Sequence, residues 1–261
     1  MKSHGAIVTG VLLMSSYATA ALTHHYQFEG NALDSSGNGN HGPLAGSAAV
    51  TAPGFIGNGK LSVNGSGGMP IPAFARPSEM TVAAWVNIQP FNSAEVFLLG
   101  MVTDGANQPN FQLRVNGGSG VLQVGQWNGA TFQAFNSSGA GGSGGPGSSM
   151  NLINSTSNPV GWQHIALVYR DANPVELYIG GQLVVFGNLT NGLPGTVQRV
   201  TIGGLEISPG NFIGSVVGSL DDVRIYNNAL DAAAVAALVP EPASLGLLAL
   251  AGALLGRRRQ A

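Results

Sequence analysis

Between His24 and Tyr226 the hydrophobic positions come in short runs of five to eleven residues, each closed by glycine, proline, asparagine or serine. Runs of that length, rich in Val, Ile, Phe and Tyr, are the strands of an antiparallel sandwich. The pattern predicts strands at 24–29, 80–88, 95–101, 110–115, 121–126, 131–135, 163–170, 175–180, 182–186, 199–203 and 216–226. Gly180-Gly181 joins two of them with a sequence suited to a tight hairpin. Only 231–238 reads as helix, alanine-rich with Asp231 near its start. There is no second domain and no repeat. The stretch 137–149 (SSGAGGSGGPGSS) lacks the apolar atoms to order itself and reads as a mobile loop. Gly142, Gly144 and Gly147 match GxGxxG there, but Pro146 interrupts and no helix follows, so it is not a dinucleotide site.

The two ends depart from this pattern. Residues 1–20 begin with Lys2, run apolar from Ala6 to Met14 and end Ala18-Thr19-Ala20. That is the layout of a secretory signal peptide cut after Ala20; a buried first helix is the alternative. At the other end Pro240-Glu241-Pro242 is followed by an uncharged, mostly apolar run and then Arg257-Arg258-Arg259. At 1.5 Å per residue the run 243–256 spans roughly 21 Å, short of the ~30 Å hydrocarbon core. The arginines behind it would stay on the cytoplasmic side. Motif, short helix and basic cluster together resemble the PEP-CTERM sorting domain of Gram-negative bacteria. The resemblance implies transient membrane anchoring, recognition by an exosortase-type sorting enzyme, and an inner-membrane intermediate delivered to the cell surface or extracellular matrix. An ordinary C-terminal anchor is the alternative. The chain thus divides into a signal peptide (1–20), a β-domain (21–238) and a sorting tail (239–261).

Composition narrows the function classes. Charged residues make up 8% of the chain, too few for a coiled coil or long solvent-facing helices. A net charge of −2 leaves no electrostatic footprint for nucleic acid. Without both ends the domain keeps six of ten basic and eleven of twelve acidic residues, a net of −5, which suits cations better than polyanions. With no cysteine there is no disulfide, thiolate metal site or cysteine nucleophile.

Four segments in order carry a second resemblance. They are HYQFEGN (25–31) running into DSSGNGNHG (34–42), MTVAAWV (80–86), GWQHIALVY (161–169) and GSLDDVRIYN (218–227). Together they resemble a LamG-like domain of the concanavalin A-like lectin/glucanase superfamily. The resemblance implies an all-β, two-sheet antiparallel jelly-roll sandwich with its first and last strands adjacent.

Chemistry follows from that placement. The loop 34–42 packs one carboxylate, two asparagines and three glycines, a composition able to wrap calcium with oxygen ligands. LamG-like proteins often carry calcium here. Strand alternation puts Asp221 on the face of Val223 and Ile225, turned inward, where a carboxylate needs a partner or a metal. The expected ligands are Asp34, Asn38, Asn40 and Asp221, with Ca2+ as a structural clamp. The alternative is that Asp34 caps a turn and Asp221 accepts from backbone amides. For a sugar, Trp127 is the best exposed-looking aromatic, flanked by Gln126 and Asn128; alternatively it packs a hairpin tip. Trp85 and Trp162 read as core. No acid-x-acid spacing supplies a glycosidase pair, and neither HExxH nor GxSxG appears. The expectation is a non-enzymatic, exported binding module for carbohydrate or a matrix component. A structural or adhesive matrix protein without a ligand site, or a glycoside hydrolase on the same fold, are the alternatives.

Overall fold

The computed structural model describes residues 21–103, 109–127, 131–137, 143–144, 150–155, 157–171, 174–189 and 196–240. Its first strands are β1 (Leu22–Tyr26), β2 (Ala45–Gly46), β3 (Ala49–Thr51), β4 (Lys60–Asn64), β5 (Gly67–Ile71) and β6 (Glu79–Ile88). The middle of the chain gives β7 (Glu95–Thr103), β8 (Pro109–Asn116), β9 (Leu122–Trp127), β10 (Phe132–Asn136), β11 (Ser143–Gly144) and β12 (Gln163–Arg170). Then come β13 (Val175–Ile179), β14 (Gln182–Gly187), β15 (Val197–Ile202), β16 (Leu205–Ser208), β17 (Asn211–Ile213), β18 (Val217–Tyr226) and α1 (Ala232–Ala237).

Two antiparallel sheets face each other. The first runs β11-β14-β13-β12-β6-β18-β4-β3, with β1 also paired to β18; the second runs β10-β9-β8-β7-β15-β5-β2. Between them lies one core that includes Tyr26, Phe28, Met69, Met80, Phe111, Phe135 and Tyr169. β6, β7 and β12 are almost continuously buried, because both faces of these central strands are covered. Outside the first sheet, α1 and its flanks bring Leu230 and Val235 onto Ala83, Ala166 and Tyr226. Outside the second, the β16–β17 hairpin lays Leu205 against Phe97 and Val102.

The local signals explain the boundaries. Gly180 and Gly181 both take positive φ (59° and 76°) in the hairpin that sets Ile179 opposite Gln182. Asp231 caps α1, its side chain accepting from the Ala234 N–H at 2.8 Å. All eleven expected strands are present, with ends shifted by up to three residues. The stretches between 45 and 71, and 205–213, add strands that their glycine and proline content concealed. Within the glycine-rich stretch 137–149, expected as a loop, Ser143 and Gly144 pair with Phe186 and Val185 as a two-residue strand.

Candidate functional site

β1 lies antiparallel to the second half of β18, with His25 opposite Arg224 and Tyr26 opposite Val223. The first and last strands are therefore neighbours. The turn after β1 is organised by Asp34. Its Oδ1 accepts from the N–H groups of His25 and Ser36, and its Oδ2 from the Ser36 hydroxyl and the Asn40 N–H, all at 2.9 Å. Burial pushes this carboxyl's pKa up, but the four donors outweigh it and hold the group below the ordinary carboxylate range. Asn38 and Asn40 turn their amide N–H groups onto the carbonyls of Leu22 and Thr23.

Asp221 belongs to a different set. Asp221 opposes Trp85 while Arg224 opposes Ala83, so Asp222 and Val223 together face one residue across the ladder. This is a β-bulge, with Asp222 at φ 48°. The extra residue breaks the alternation counted back from Ile225 and Val223. Asp221 consequently shares the outer face with Trp85 instead of the inner one. It is fully buried there beneath the 55–56 segment. Its Oδ2 accepts from the N–H groups of Phe55 (2.7 Å) and Ile56 (2.9 Å), its Oδ1 from Asp222 N–H (2.7 Å). Desolvation raises its pKa, with the three N–H bonds opposing. Asp222 ties the end strands together, accepting from His25 Nε2 at 2.6 Å and from Arg224 Nε at 3.1 Å.

The four expected calcium ligands therefore fall into two hydrogen-bonded groups without a shared partner. Both carboxylates are surrounded by N–H and O–H donors, the electrostatic opposite of an oxygen cage. Among the described residues no three His, Asp or Glu side chains gather as a metal site. The donor set does not fit a calcium ion shared by Asp34 and Asp221. It fits a hydrogen-bonded staple.

Trp85 is buried, though on the outer face, where Phe55 covers it at 4.2 Å and His164 meets it edge-on at 5.4 Å. Trp162 is half-buried beside the same Phe55, at 5.6 Å, so neither tryptophan lies in the inter-sheet core. Burial pushes the pKa of His164 down to about 4, with Asp222 opposing and Arg224 reinforcing.

The second sheet carries the residues expected to face a ligand. Leu122 and Val124 point into the core, and alternation sends Gln126 with them. Gln126 is fully buried opposite Phe111, so it cannot serve a surface ligand as expected. Trp127 points the other way, half-buried, and pairs with Phe132 on β10. Asn128 lies outside the described residues. Phe132 is 40% exposed and lies across Gly125, where even a methyl group would come within 2.4 Å of the ring. Its ring centroid is 5.2 Å from the Arg114 guanidinium. Arg114 is fixed by Gln123 Oε1 (2.6 Å), Gln112 Oε1 (2.9 Å) and an ion pair with Glu95. With its oxygen engaged, Gln123 keeps two N–H donors at the rim. The platform is thus Trp127 and Phe132, with Arg114, Gln123 and Glu95 in place of the expected Gln126. Period-two alternation along QLRV and LQVGQW carries this signal: Gln112 and Arg114, then Gln123, Gly125 and Trp127, mark one polar face.

Of the sorting tail only Val239 and Pro240 lie within the described residues; Glu241, Pro242 and Arg257–Arg259 lie outside them, as does the expected signal segment 1–20. Among the described residues no helix is long and apolar enough to cross a membrane.

Known proteins support the architecture. A family profile of the concanavalin A-like lectin/glucanases superfamily matches residues 62–236, and a PEP-CTERM protein-sorting motif matches 238–260. No curated protein matches the sequence. Among solved structures, domain 4 of the extracellular arabinanase AbnA from Geobacillus stearothermophilus, in complex with arabinotriose, aligns with a TM-score of 0.62. It is 21% identical, over 85% of this chain and 99% of that one. The receptor-binding domain of botulinum neurotoxin type G aligns with a TM-score of 0.59 and 15% identity, over 84% of this chain. The binding domain of Paraclostridial mosquitocidal protein 1 gives 0.62 and 15%, also over 84%. The chain spans about half of each of these two larger domains (50% and 52%). Sandwich topology, end-strand pairing and the matched profile agree: the chain belongs to the concanavalin A-like lectin/glucanase superfamily and ends in a PEP-CTERM sorting motif.

Proposed function

We infer that this is an exported, surface-sorted, non-catalytic module that binds extracellular carbohydrate on the outer face of its second sheet. The observation that carries the reading is the Trp127–Phe132 pair. A partly exposed ring lies across a glycine, its centroid 5.2 Å from a fixed guanidinium that Gln123 also contacts. A sugar ring has an apolar C–H face and a hydroxyl edge, and a flat aromatic bordered by amide and carboxylate groups complements both. The arabinotriose bound by the arabinanase domain makes arabino-oligosaccharides the first ligands to try.

A non-catalytic role is supported by how the acids are used. Glu29 accepts from Asn58 N–H, Glu79 from Ala229 N–H and Glu206 from Gly210 N–H; Asp231 caps α1. Glu95, Asp171 and Glu176 pair with Arg114, Arg76 and Arg170. With Asp34, Asp221 and Asp222 engaged as above, every described carboxylate serves the fold. The matched tail and the signal-like segment 1–20 support export through the membrane, with the sandwich displayed at the surface.

The test is affinity electrophoresis against a panel of neutral polysaccharides, arabinan included. Phe132→Ala and Trp127→Ala should each weaken binding about tenfold or more, equivalent to ~1.4 kcal/mol, with melting temperatures retained. Unaltered binding by both variants would remove the platform as the site.

A further inference from the structure

A second concave feature lies where the first and last strands meet. The strand β1, the end of β18 and the 72–77 segment enclose a cleft of about 270 Å³, lined by Thr23, His24, Asn40, Phe74 and Asn227 among others. His24 is 4% exposed and packs its ring 4.9 Å from that of Phe74. The hydrogen bonds determine which of its nitrogens carries the proton. Thr23 Oγ1 donates its only hydrogen to the Ile225 carbonyl at 2.9 Å. The 2.9 Å contact between Thr23 Oγ1 and His24 Nδ1 must therefore be donated by the imidazole. Burial lowers the pKa of His24, with Asp34 opposing, so the ring is neutral at neutral pH and Nε2 is a bare acceptor. Among the described residues nothing donates to Nε2. It is also absent from the unpartnered atoms sealed inside the protein, so it opens on the cleft that His24 lines. Asn40 spends an amide N–H on the Thr23 carbonyl, which leaves its Oδ1 as a second acceptor.

We propose that this cleft binds one neutral, hydroxyl-bearing ring, a single monosaccharide unit, whose hydroxyls donate to His24 Nε2 and Asn40 Oδ1 while its apolar face rests on Phe74. Two acceptors ask for donors, and no charged side chain lines the walls to favour an ion. The volume lies below the ~300–1,000 Å³ of drug-sized sites and suits one ring. The site is formed by different strands from the Trp127–Phe132 platform and does not depend on it.

The experiment follows the imidazole nitrogens of His24 by NMR on the full chain during titration with arabinose, glucose and glucuronate. A saturable shift of Nε2 with at least one neutral sugar is expected, with glucuronate at least tenfold weaker. Phe132→Ala should leave the titration intact. Phe74→Ala should weaken it about tenfold, and Ala75→Trp, which fills the cleft from an exposed position without touching the core, should abolish it. No saturable His24 shift with either neutral sugar up to about 50 mM, some fifty times the concentration that half-fills a site of ~1 mM affinity, would overturn the proposal. A shift that survives Ala75→Trp, or equal binding of glucuronate, would also overturn it.

Discussion

One carboxylate does much of the work at the residue scale. Asp34 gathers three backbone N–H groups and a hydroxyl, so Asp34→Ala leaves buried donors without partners. The expected cost is about 3 kcal/mol, read as a lower urea midpoint, and it should be the same with and without a calcium chelator. The pKa direction gives a further signature. A carboxyl whose folded pKa is lowered contributes stability above its unfolded value near 3.9, lost as pH falls through the lower folded value. The stability gap between wild type and Asp34→Asn should therefore be full at pH 5–7 and close progressively below about pH 4. A gap that widens on acidification would contradict the staple. Asp34 was legible as a loop-organising residue because DSSGNGN can only turn; whether its partners were a cation or backbone amides was not. That choice depends on how the 34–40 turn folds back onto β1, since the donors to Asp34 come from His25, Ser36 and Asn40.

At the element scale the bulge in β18 decides more than any single strand. By inserting Asp222 it turns Asp221 outward, where it docks the 55–56 segment over Trp85. Asp221→Ala removes the acceptor for two buried N–H groups of that segment. It should release Phe55 from Trp85, with a red shift in tryptophan emission and a loss of about 2–4 kcal/mol. An unshifted spectrum with unchanged stability would show that the segment docks by its aromatic contacts alone. Strict alternation misplaces Asp221 because a bulge leaves no mark in DDVRIY. The same alternation, read from Val124, sends Gln126 into the core and Trp127 out, and was informative there. The long strands were legible because Val, Ile and Phe cluster between turn residues. β5 was not, since Gly67-Gly68-Met69-Pro70 shows no strand propensity and pairs through contacts with β15 and β2.

On the scale of the whole molecule, a sandwich without a disulfide joins its first and last strands by hydrogen bonds, among them the triad His25–Asp222–Arg224, in which Arg224 and Asp222 form an ion pair. The first sheet is covered outside by α1 and the second only partly, by the β16–β17 hairpin, so among the described residues the outer side of β8, β9 and β10 is the less covered one, with Phe132 40% exposed. The two-layer architecture and the meeting of first and last strands were readable from four segments in order. The less covered face was not, because it is defined by where the hairpin lies. Carbohydrate recognition by that face, with no metal in the contact, is the central claim. Calorimetric titration of the polysaccharide that retards the protein most, performed in excess EDTA on wild type and Phe132→Ala, tests it directly. Undiminished affinity of the wild type in chelator, with a tenfold or greater loss in the variant, is the predicted result; binding that vanishes in EDTA, or that Phe132→Ala leaves intact, would contradict it.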